Sequence, residues 1–264
     1  MNQIPIRSTG PLDRQSVLSI NQLRVQGPKT SQNIQTINEG SARRTPTPAS
    51  DPRRTPVPAS APTPATAPPP APSAPQKPAP PLLHPVQKGQ KVLLSSAGGP
   101  ARVKACLGWN ALNAACDVDV SAFLLNASGK VLGDDWFVFY GQQRSPDGST
   151  VFSMEPGADR ESISVDFARL NSQASKIVFV LTIHEALERR LNFSMLRDAY
   201  IRILDASDDR ELASFQMDEY YANVTSMMIG EIYRHNGDWK FNAIGNGVAK
   251  DLAGLCGLYG VQVV

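Results

Sequence analysis

The aromatic residues of this chain are confined to its C-terminal part, which limits the residues that can form a folded core. Every Trp, Tyr and Phe lies at or after Trp109, whereas 16 of the 22 prolines lie between Ser41 and Lys88. Without aromatic side chains, the first 88 residues bury too little apolar surface to offset the entropy lost on ordering. We therefore predict a disordered, basic, Pro/Ala/Thr-rich tail at residues 1–88 and one folded domain at residues 89–264.

The predicted tail contains a near-repeat. Residues 43–50 (Arg-Arg-Thr-Pro-Thr-Pro-Ala-Ser) almost recur at residues 53–60 (Arg-Arg-Thr-Pro-Val-Pro-Ala-Ser). A segment of this composition samples extended polyproline II and acts as a semi-rigid spacer. Three roles stay open: a tether, a ligand through which proline-binding modules of a protein partner attach, and a linker phosphorylated at Thr-Pro.

Charge is divided between the two parts of the chain. Residues 1–88 carry ten Lys/Arg against three Asp/Glu, a net charge of +7, and residues 89–264 carry sixteen against twenty-one, a net charge of −5. A basic tail can rest on nucleic acid, on a membrane, on an acidic partner or on its own acidic domain. Because the tail has no aromatic side chains on which bases could stack, we do not expect a nucleic-acid partner.

Targeting signals and membrane spans are not evident in the sequence. Residues 1–23 have no apolar core of the kind a signal peptide needs, and no apolar run approaches the ~20 residues of a membrane span. The three cysteines, Cys106, Cys116 and Cys256, are odd in number and widely spaced. This usage is typical of buried thiols in a reducing compartment, so we predict a cytoplasmic protein.

Short alternating apolar segments dominate residues 89–264. The clearest is a hairpin in which Asn236-Gly237 supplies the positive φ angles of a tight turn between two aromatic-containing strands. Helical spacing of apolar residues predicts helices over Glu185–Leu196 and Val248–Tyr259, and the nearly all-apolar run Trp136–Tyr140 predicts a central strand. The other predicted strands cover residues 91–94, 103–109, 118–125, 163–167, 176–183, 199–204 and 211–216. Many short strands with two minor helices favour a mainly β fold, a β-sandwich.

Several of these segments resemble the TerD family, bacterial proteins linked to tellurite resistance and general stress. Residues 230–241 read Gly-Glu-Ile-Tyr-Arg-His-Asn-Gly-Asp-Trp-Lys-Phe, which is similar to the closing hairpin of that family. Residues 117–125 (Asp-Val-Asp-Val-Ser-Ala-Phe-Leu-Leu) and 176–184 (Lys-Ile-Val-Phe-Val-Leu-Thr-Ile-His) resemble two further family segments. The resemblance runs in order from about Lys88 to the C-terminus. It implies a TerD-like sandwich of two sheets that binds calcium through a cluster of acidic loops.

The resemblance also indicates where calcium ligands would lie. Calcium takes six to eight oxygen ligands at ~2.3–2.6 Å. Two carboxylates, two residues apart, lie at the entry to one predicted strand, and three more lie in the loop before another. The candidate metal ligands are Asp117, Asp119, Glu155, Asp159 and Glu161.

This chain departs from the family pattern at several of the family's acidic positions. The family's Gly-Trp-Asp becomes Gly-Trp-Asn at Asn110, and the first Asp of its Asp-x-Asp-x-Asp triplet is Ala115. The long acidic loop is shortened to residues 154–161 and gains Arg160, whose charge competes with a cation. Loss of carboxylates removes both coordination and coulombic attraction, so calcium affinity is expected to fall.

Three functions stay open from the sequence. The first is a non-enzymatic stress-response protein in which calcium orders the acidic loops and presents a binding surface. The second is a metal-independent interaction scaffold of the same family. The third is an enzyme acting on small phosphorylated or nucleotide ligands, which requires a deep cleft lined by His184 or His235. No nucleophile motif or histidine cluster supports a catalytic assignment, and we assign no catalytic residue.

Overall fold

Two antiparallel sheets form the architecture of the residues that the structure describes. A computed structural model describes residues 76–95 and 99–263. A six-stranded sheet has the order β1-β11-β10-β7-β3-β4, and a five-stranded sheet has the order β5-β6-β2-β8-β9. The strands are β1 Lys91–Ser95, β2 Arg102–Ala111, β3 Val118–Leu125, β4 Phe137–Phe139, β5 Thr150–Met154, β6 Glu161–Asp166, β7 Lys176–Ile183, β8 Leu196–Asp205, β9 Glu211–Gln216, β10 Ser226–His235 and β11 Asp238–Val248. The predicted two-sheet, mainly β fold is confirmed.

The core has two parts because the six-stranded sheet is covered on both faces. Its inner face packs against the five-stranded sheet. Phe179 and Phe241 of the six-stranded sheet and Leu107 of the five-stranded sheet belong to the shared core. Its outer face carries a smaller cluster that includes Phe123 and Leu255. Leu255 belongs to the C-terminal helix α2, Leu252–Tyr259, so this helix covers apolar side chains that would otherwise face water.

The hairpin prediction is confirmed residue by residue. His235 pairs with Asp238 at the end of the β10–β11 ladder, and the turn residues Asn236 and Gly237 have φ angles of 53° and 88°. Positive φ at both central positions is the requirement of a two-residue hairpin turn.

The predicted helices are shorter than their apolar spacing suggests. α1 covers only Ala186–Arg189 and α2 covers Leu252–Tyr259, while Phe193–Met195 and Asp134–Trp136 are single 3-10 turns. The residues bounding α1, Glu185 and Arg190, both adopt left-handed backbone conformations, which end a right-handed helix. The helix predicted over Glu185–Leu196 is therefore wrong in extent.

The position predicted for the aromatic strand is also wrong. β4 lies at the edge of the six-stranded sheet rather than at its centre. It is apolar throughout because Val138 faces the inner core while Phe137 and Phe139 join the cluster beneath α2. A strand can therefore be buried on both faces of the sheet even when only one neighbouring strand pairs with it.

The segment before β1 contacts the five-stranded sheet. Ser214 of β9 donates its backbone N–H to His84 O and accepts from Val86 N, both at 2.8 Å. The carboxylate oxygen Glu211 Oε1 accepts from the backbone N–H groups of Leu83 and His84 at 2.8 and 2.7 Å. Residues 1–75 of the tail predicted at residues 1–88 lie outside the described residues, but the chain from Lys77 onward contacts the sandwich.

A turn before β5 is organised by one carboxylate. Asp147 accepts from Ser145 Oγ at 2.7 Å and from the backbone N–H groups of Ser149 and Asn171 at 2.9 and 2.8 Å. Burial alone would raise the pKa of Asp147, but these hydrogen bonds outweigh burial and lower it.

We expect Asp147→Asn to destabilise the protein by about 1–2 kcal/mol at neutral pH, because one amide nitrogen would face the Asn171 N–H. Because folding lowers the pKa of Asp147, its ionised form contributes stability above the unfolded value of about 3.9 and loses it as pH falls through the folded value. The difference between the two proteins in free energy of unfolding should therefore shrink below about pH 4. Urea denaturation across this range measures it, and a pH-independent difference would contradict the assignment.

None of the helices in the described ranges is long and apolar enough to cross a membrane. Cys106, Cys116 and Cys256 are all buried, as the sequence predicts.

Candidate metal centre

The candidate carboxylates lie near one end of the sandwich, on the chain entering β3 and on the loop between β5 and β6. Asp117 immediately precedes β3 and Asp119 lies within it. Glu155 and Asp159 belong to the β5–β6 loop, and Glu161 is the first residue of β6.

The β5–β6 loop is fastened to β2 by Arg160. The Glu155 N–H donates to Arg160 O at 2.9 Å and closes the loop, while Arg160 N donates to Leu107 O at 2.9 Å. The Arg160 side chain donates from Nε to Trp109 O at 2.6 Å, and its guanidinium lies 5.5 Å from the centre of the Trp109 ring. Arg160 therefore sets the path of the loop as well as adding positive charge to it.

Asp159 uses both of its carboxylate oxygens inside the protein. Its side chain accepts from Arg202 Nε at 3.1 Å and from Arg202 Nη2 at 2.6 Å, one bond to each oxygen. The Tyr200 hydroxyl donates to Asp159 Oδ1 at 2.9 Å. Asp159 is only 8% exposed, so this two-point ion pair is screened little by water. Burial, followed by the nearby Asp159 charge, raises the pKa of Tyr200 well above its usual range.

Glu155 and Glu161 are also engaged. Lys104 Nζ lies 2.9 Å from Glu155 Oε1, and Ser162 Oγ donates to the same oxygen at 2.7 Å. Glu161 is 2% exposed and accepts the backbone N–H of Val120 on Oε2 at 2.8 Å. Because Glu161 lies in one sheet and Val120 in the other, this bond ties the two sheets together.

The structure does not bring the five carboxylates to one point. Asp117, Glu155 and Glu161 line a cavity of about 190 Å³, whereas Asp119 lines a separate cavity of about 70 Å³. Asp159 lines neither cavity. In the part of the chain that the structure describes, no three His, Cys, Asp or Glu side chains are grouped so that they could hold one metal ion. The donor set in this conformation does not fit calcium, and calcium binding by these residues stays a prediction.

A lysine from the preceding segment lines the larger cavity beside these carboxylates. Lys77 Nζ donates to Gly157 O at 2.8 Å and to Asp159 O at 3.4 Å. Its backbone makes a reciprocal pair with the Asn110 side chain: Lys77 N donates to Oδ1, and Nδ2 donates to Lys77 O, both at 2.9 Å. Sequence reasoning missed Lys77, since a single lysine in a proline-rich run gives no signal of its partner.

The smaller cavity bears on the third function left open by the sequence. It is lined by His184, but also by Glu185, Glu188, Asp119 and Asp251. His184 Nε2 lies 3.3 Å from Glu185 Oε1. A wall with four acidic side chains repels a phosphate group, so this lining does not favour a phosphorylated ligand. His235 lies exposed at the β10–β11 turn.

Comparison with known protein families identifies one that matches this chain. The model of the TerD domain matches residues 83–259, about two thirds of the chain.

The chain belongs to the TerD family.

Two relatives and one solved structure illustrate the similarity. The chain is 40% identical over 186 residues to the tellurium resistance protein TerD of Serratia marcescens, covering 67% of this chain and 97% of the relative. It is 39% identical over 186 residues to general stress protein 16U of Bacillus subtilis strain 168, covering 67% and 96% respectively. A solved structure of a homologue of telluride resistance protein (TerD) from Streptomyces coelicolor A3(2) aligns with a TM-score of 0.47 and 18% identity. That alignment covers 63% of this chain and all of the Streptomyces chain.

Proposed function

We propose that this TerD-family chain is a non-enzymatic stress-response protein that neutralises its acidic loop with its own basic side chains and acts as a calcium-independent interaction module. The observation that carries the proposal is the ion pair of Asp159 with Arg202, reinforced by the Tyr200 hydroxyl. Glu155 is held in the same way by Lys104. Two of the five candidate ligands therefore already have cationic partners within the fold.

Calcium would have to break these contacts before it could use the same oxygens. Removing Asp159 from Arg202 would leave a guanidinium largely enclosed by protein, and breaking a buried ion pair in this way costs about 3–5 kcal/mol. The remaining carboxylates would then have to supply most of the six to eight oxygens that calcium takes. This energetic penalty supports the metal-independent version of the function.

The interaction role rests on the charge and composition of the chain. Residues 1–88 carry a net charge of +7 and most of the prolines. Extended proline-rich segments bind aromatic-lined grooves at low entropic cost, because their backbone is already ordered. The partner we propose is therefore a protein that contacts this segment.

The raised pKa values of the buried thiols support the non-enzymatic part of the proposal. Burial raises the pKa of Cys106 to about 12, and burial likewise raises the pKa of Cys256 to about 12. Thiols with such values carry almost no thiolate at neutral pH, and the thiolate is the reactive form. We therefore do not propose that these cysteines reduce an oxyanion such as tellurite.

An ion-responsive version of the function is the second candidate. It is favoured by Asp117, Glu155 and Glu161, three carboxylates that line the same cavity of about 190 Å³. In this version calcium would draw these groups together and reorder the β5–β6 loop.

Calcium titration of the full chain separates the two candidates. We expect no binding heat up to about 1 mM calcium and the same melting temperature in calcium as in chelator, because the loop oxygens already have cationic partners. Isothermal titration and thermal melts measure this. A dissociation constant in the micromolar range, with a melting temperature that rises with calcium, would favour the ion-responsive version instead.

A further inference from the structure

We propose that Asn110 and the β5–β6 loop form a binding site for a lysine carried on an extended, proline-flanked segment, and that Lys77 of this chain fills the site. This inference deepens the proposed function and rests on it, because it names one of the cations that replace calcium.

The backbone of the segment is recognised by an amide that acts as both donor and acceptor. Asn110 Oδ1 accepts from Lys77 N, and Asn110 Nδ2 donates to Lys77 O, both at 2.9 Å. This pairing copies the two bonds that one residue makes with a neighbouring strand. Asn110 is 4% exposed, and Nδ2 also donates to Asp198 Oδ2 at 3.0 Å. The Asp198 contact therefore orients the receiving amide independently of the segment.

The lysine side chain meets a site built for a cation. Its ammonium donates to the carbonyl oxygens of Gly157 and Asp159 at 2.8 and 3.4 Å. Asp117, Glu155 and Glu161 line the same cavity and add negative potential around it. An ammonium on a flexible stem needs only converging oxygens and does not require a planar carboxylate opposite it. The site provides backbone carbonyl oxygens and nearby carboxylates.

The proline-rich sequence around Lys77 suits an extended ligand. Prolines at positions 78, 80 and 81 restrict the segment to extended conformations. Less entropy is then lost on docking than for a flexible chain. The segment continues to a second anchor, where residues 83–86 hydrogen-bond to β9 and Glu211.

The two anchors differ in their relation to the family. The β9 anchor falls within residues 83–259, which match the TerD domain model, whereas Lys77 precedes them. The lysine anchor is thus contributed by the part of the chain that lies outside the family domain. It connects the proline-rich segment directly to the acidic loop.

Lys77 and a divalent cation exclude each other at this site. Both would draw on the carbonyl oxygens of the β5–β6 loop and on the carboxylates that surround them, and their like charges repel at such short range. The docked lysine therefore holds the loop without metal, and its removal frees oxygens for a metal.

The test uses the full-length chain with two variants and one matched control. Lys77→Ala removes the ammonium, and Asn110→Leu replaces the receiving amide with an apolar side chain of similar size. Lys88→Ala removes another lysine of the same segment, whose exposed ion pair with Glu219 has an N–O distance of 3.3 Å. Backbone ¹⁵N relaxation of Gln76, Lys77 and Ala79, the residues of 76–79 that carry an amide N–H, reports docking without metal. The β9 contact at Val86 serves as an internal reference.

We expect residues 76–79 to be as rigid as the sandwich in the wild type and in Lys88→Ala, and to become mobile in Lys77→Ala and Asn110→Leu. Val86 should stay rigid in all four proteins. Mobile residues 76–79 in the wild type, or unchanged rigidity in both variants, would overturn the site whatever the calcium result.

Calcium titration of the same proteins tests the mutual exclusion. We expect Lys77→Ala to give binding heat below about 1 mM calcium, where the wild type gives none, since one unit of opposing charge has been removed at close range. Lys88→Ala should match the wild type. The same titration curve for Lys77→Ala and the wild type, including no heat from either, would overturn the exclusion. Tight calcium binding by the wild type would instead overturn the proposed function, while the relaxation result would still decide the docking site.

Discussion

Arg202→Leu is expected to destabilise the protein by about 3 kcal/mol, a typical cost of leaving one partner of a buried ion pair without its counter-charge. The substitution removes both guanidinium bonds to Asp159, at 3.1 and 2.6 Å, and leaves only the Tyr200 hydroxyl on that carboxylate. Asp159 is 8% exposed, so water cannot replace the lost donors without opening the loop. Urea denaturation should show a lower midpoint with an unchanged slope.

Two further variants separate this effect from a loss of packing. Adding Asp159→Asn to Arg202→Leu should recover part of the lost stability, because a neutral amide is cheaper to bury than an unpaired carboxylate. Arg210→Leu is the matched control: Arg210 also pairs with aspartates, but its side chain is 60% exposed and its N–O distances are 3.5 and 3.7 Å. An exposed pair of this kind contributes about 0–1 kcal/mol. Equal losses in Arg202→Leu and Arg210→Leu would contradict the role given to the Asp159 pair.

Gly108→Ala is expected to cost about 3 kcal/mol, at the upper end of the usual range for adding a methyl group to a filled interior. A Cβ at this position would lie 2.4 Å from the Tyr200 hydroxyl oxygen and 2.5 Å from the ring carbon that bears it. Tyr200 is buried and its hydroxyl is bonded to Asp159, so the ring cannot move away without breaking that contact. Glycine at residue 108 is therefore required by close packing of the Tyr200 ring against the β2 backbone.

Gly157→Ala provides the comparison from the same region. A Cβ there meets no atom within 4 Å, so the change should leave the free energy of unfolding within about 0.5 kcal/mol of the wild type. Chemical denaturation of both variants measures the contrast. If Gly108→Ala is as stable as Gly157→Ala, the close approach of Tyr200 to the backbone of Gly108 is not maintained in solution.

The parts of the fold that were predictable are those specified by local chemistry. β3 and β7 begin and end where the alternating or continuous apolar pattern does, at Val118–Leu125 and Lys176–Ile183. The β10–β11 hairpin follows from Asn236-Gly237, which few other dipeptides could replace without strain. These signals come from residues that are adjacent in the sequence, so they can be recognised without knowing the fold.

The errors arose where tertiary contacts override the local pattern. Leu191 has helical spacing with Leu187, yet it is buried in the sandwich core just after Arg190, whose left-handed backbone ends the helix. β5 at Thr150–Met154 was not predicted, because its last two residues are exposed and its apolar pattern is short. Neither outcome follows from periodicity, since each depends on which sheet lies beneath the segment.

The candidate site was located only in part for a similar reason. The resemblance to the TerD family identified the acidic positions, but the charge balance of the site is set by strand register. Pairing of β2 with both β8 and β6 places Cys106 opposite Arg202 on one side and opposite Ser162 on the other. This register brings Arg202 to Asp159, and it sets Lys104 beside Glu155. A cross-strand partner at such sequence separation cannot be recognised without the fold.

The contact between residues 84–86 and β9 has a consequence for how this domain avoids self-association. β9 is the outermost strand of its sheet, and Ser214 would otherwise present its main-chain N–H and C=O outward. An uncovered border of this kind is a template for pairing between molecules and for aggregation. Glu211, 3% exposed, would also lose the two main-chain donors that now face its carboxylate. The residues just before β1 therefore act as a protective cover, and a fragment that begins at residue 89 would lack it.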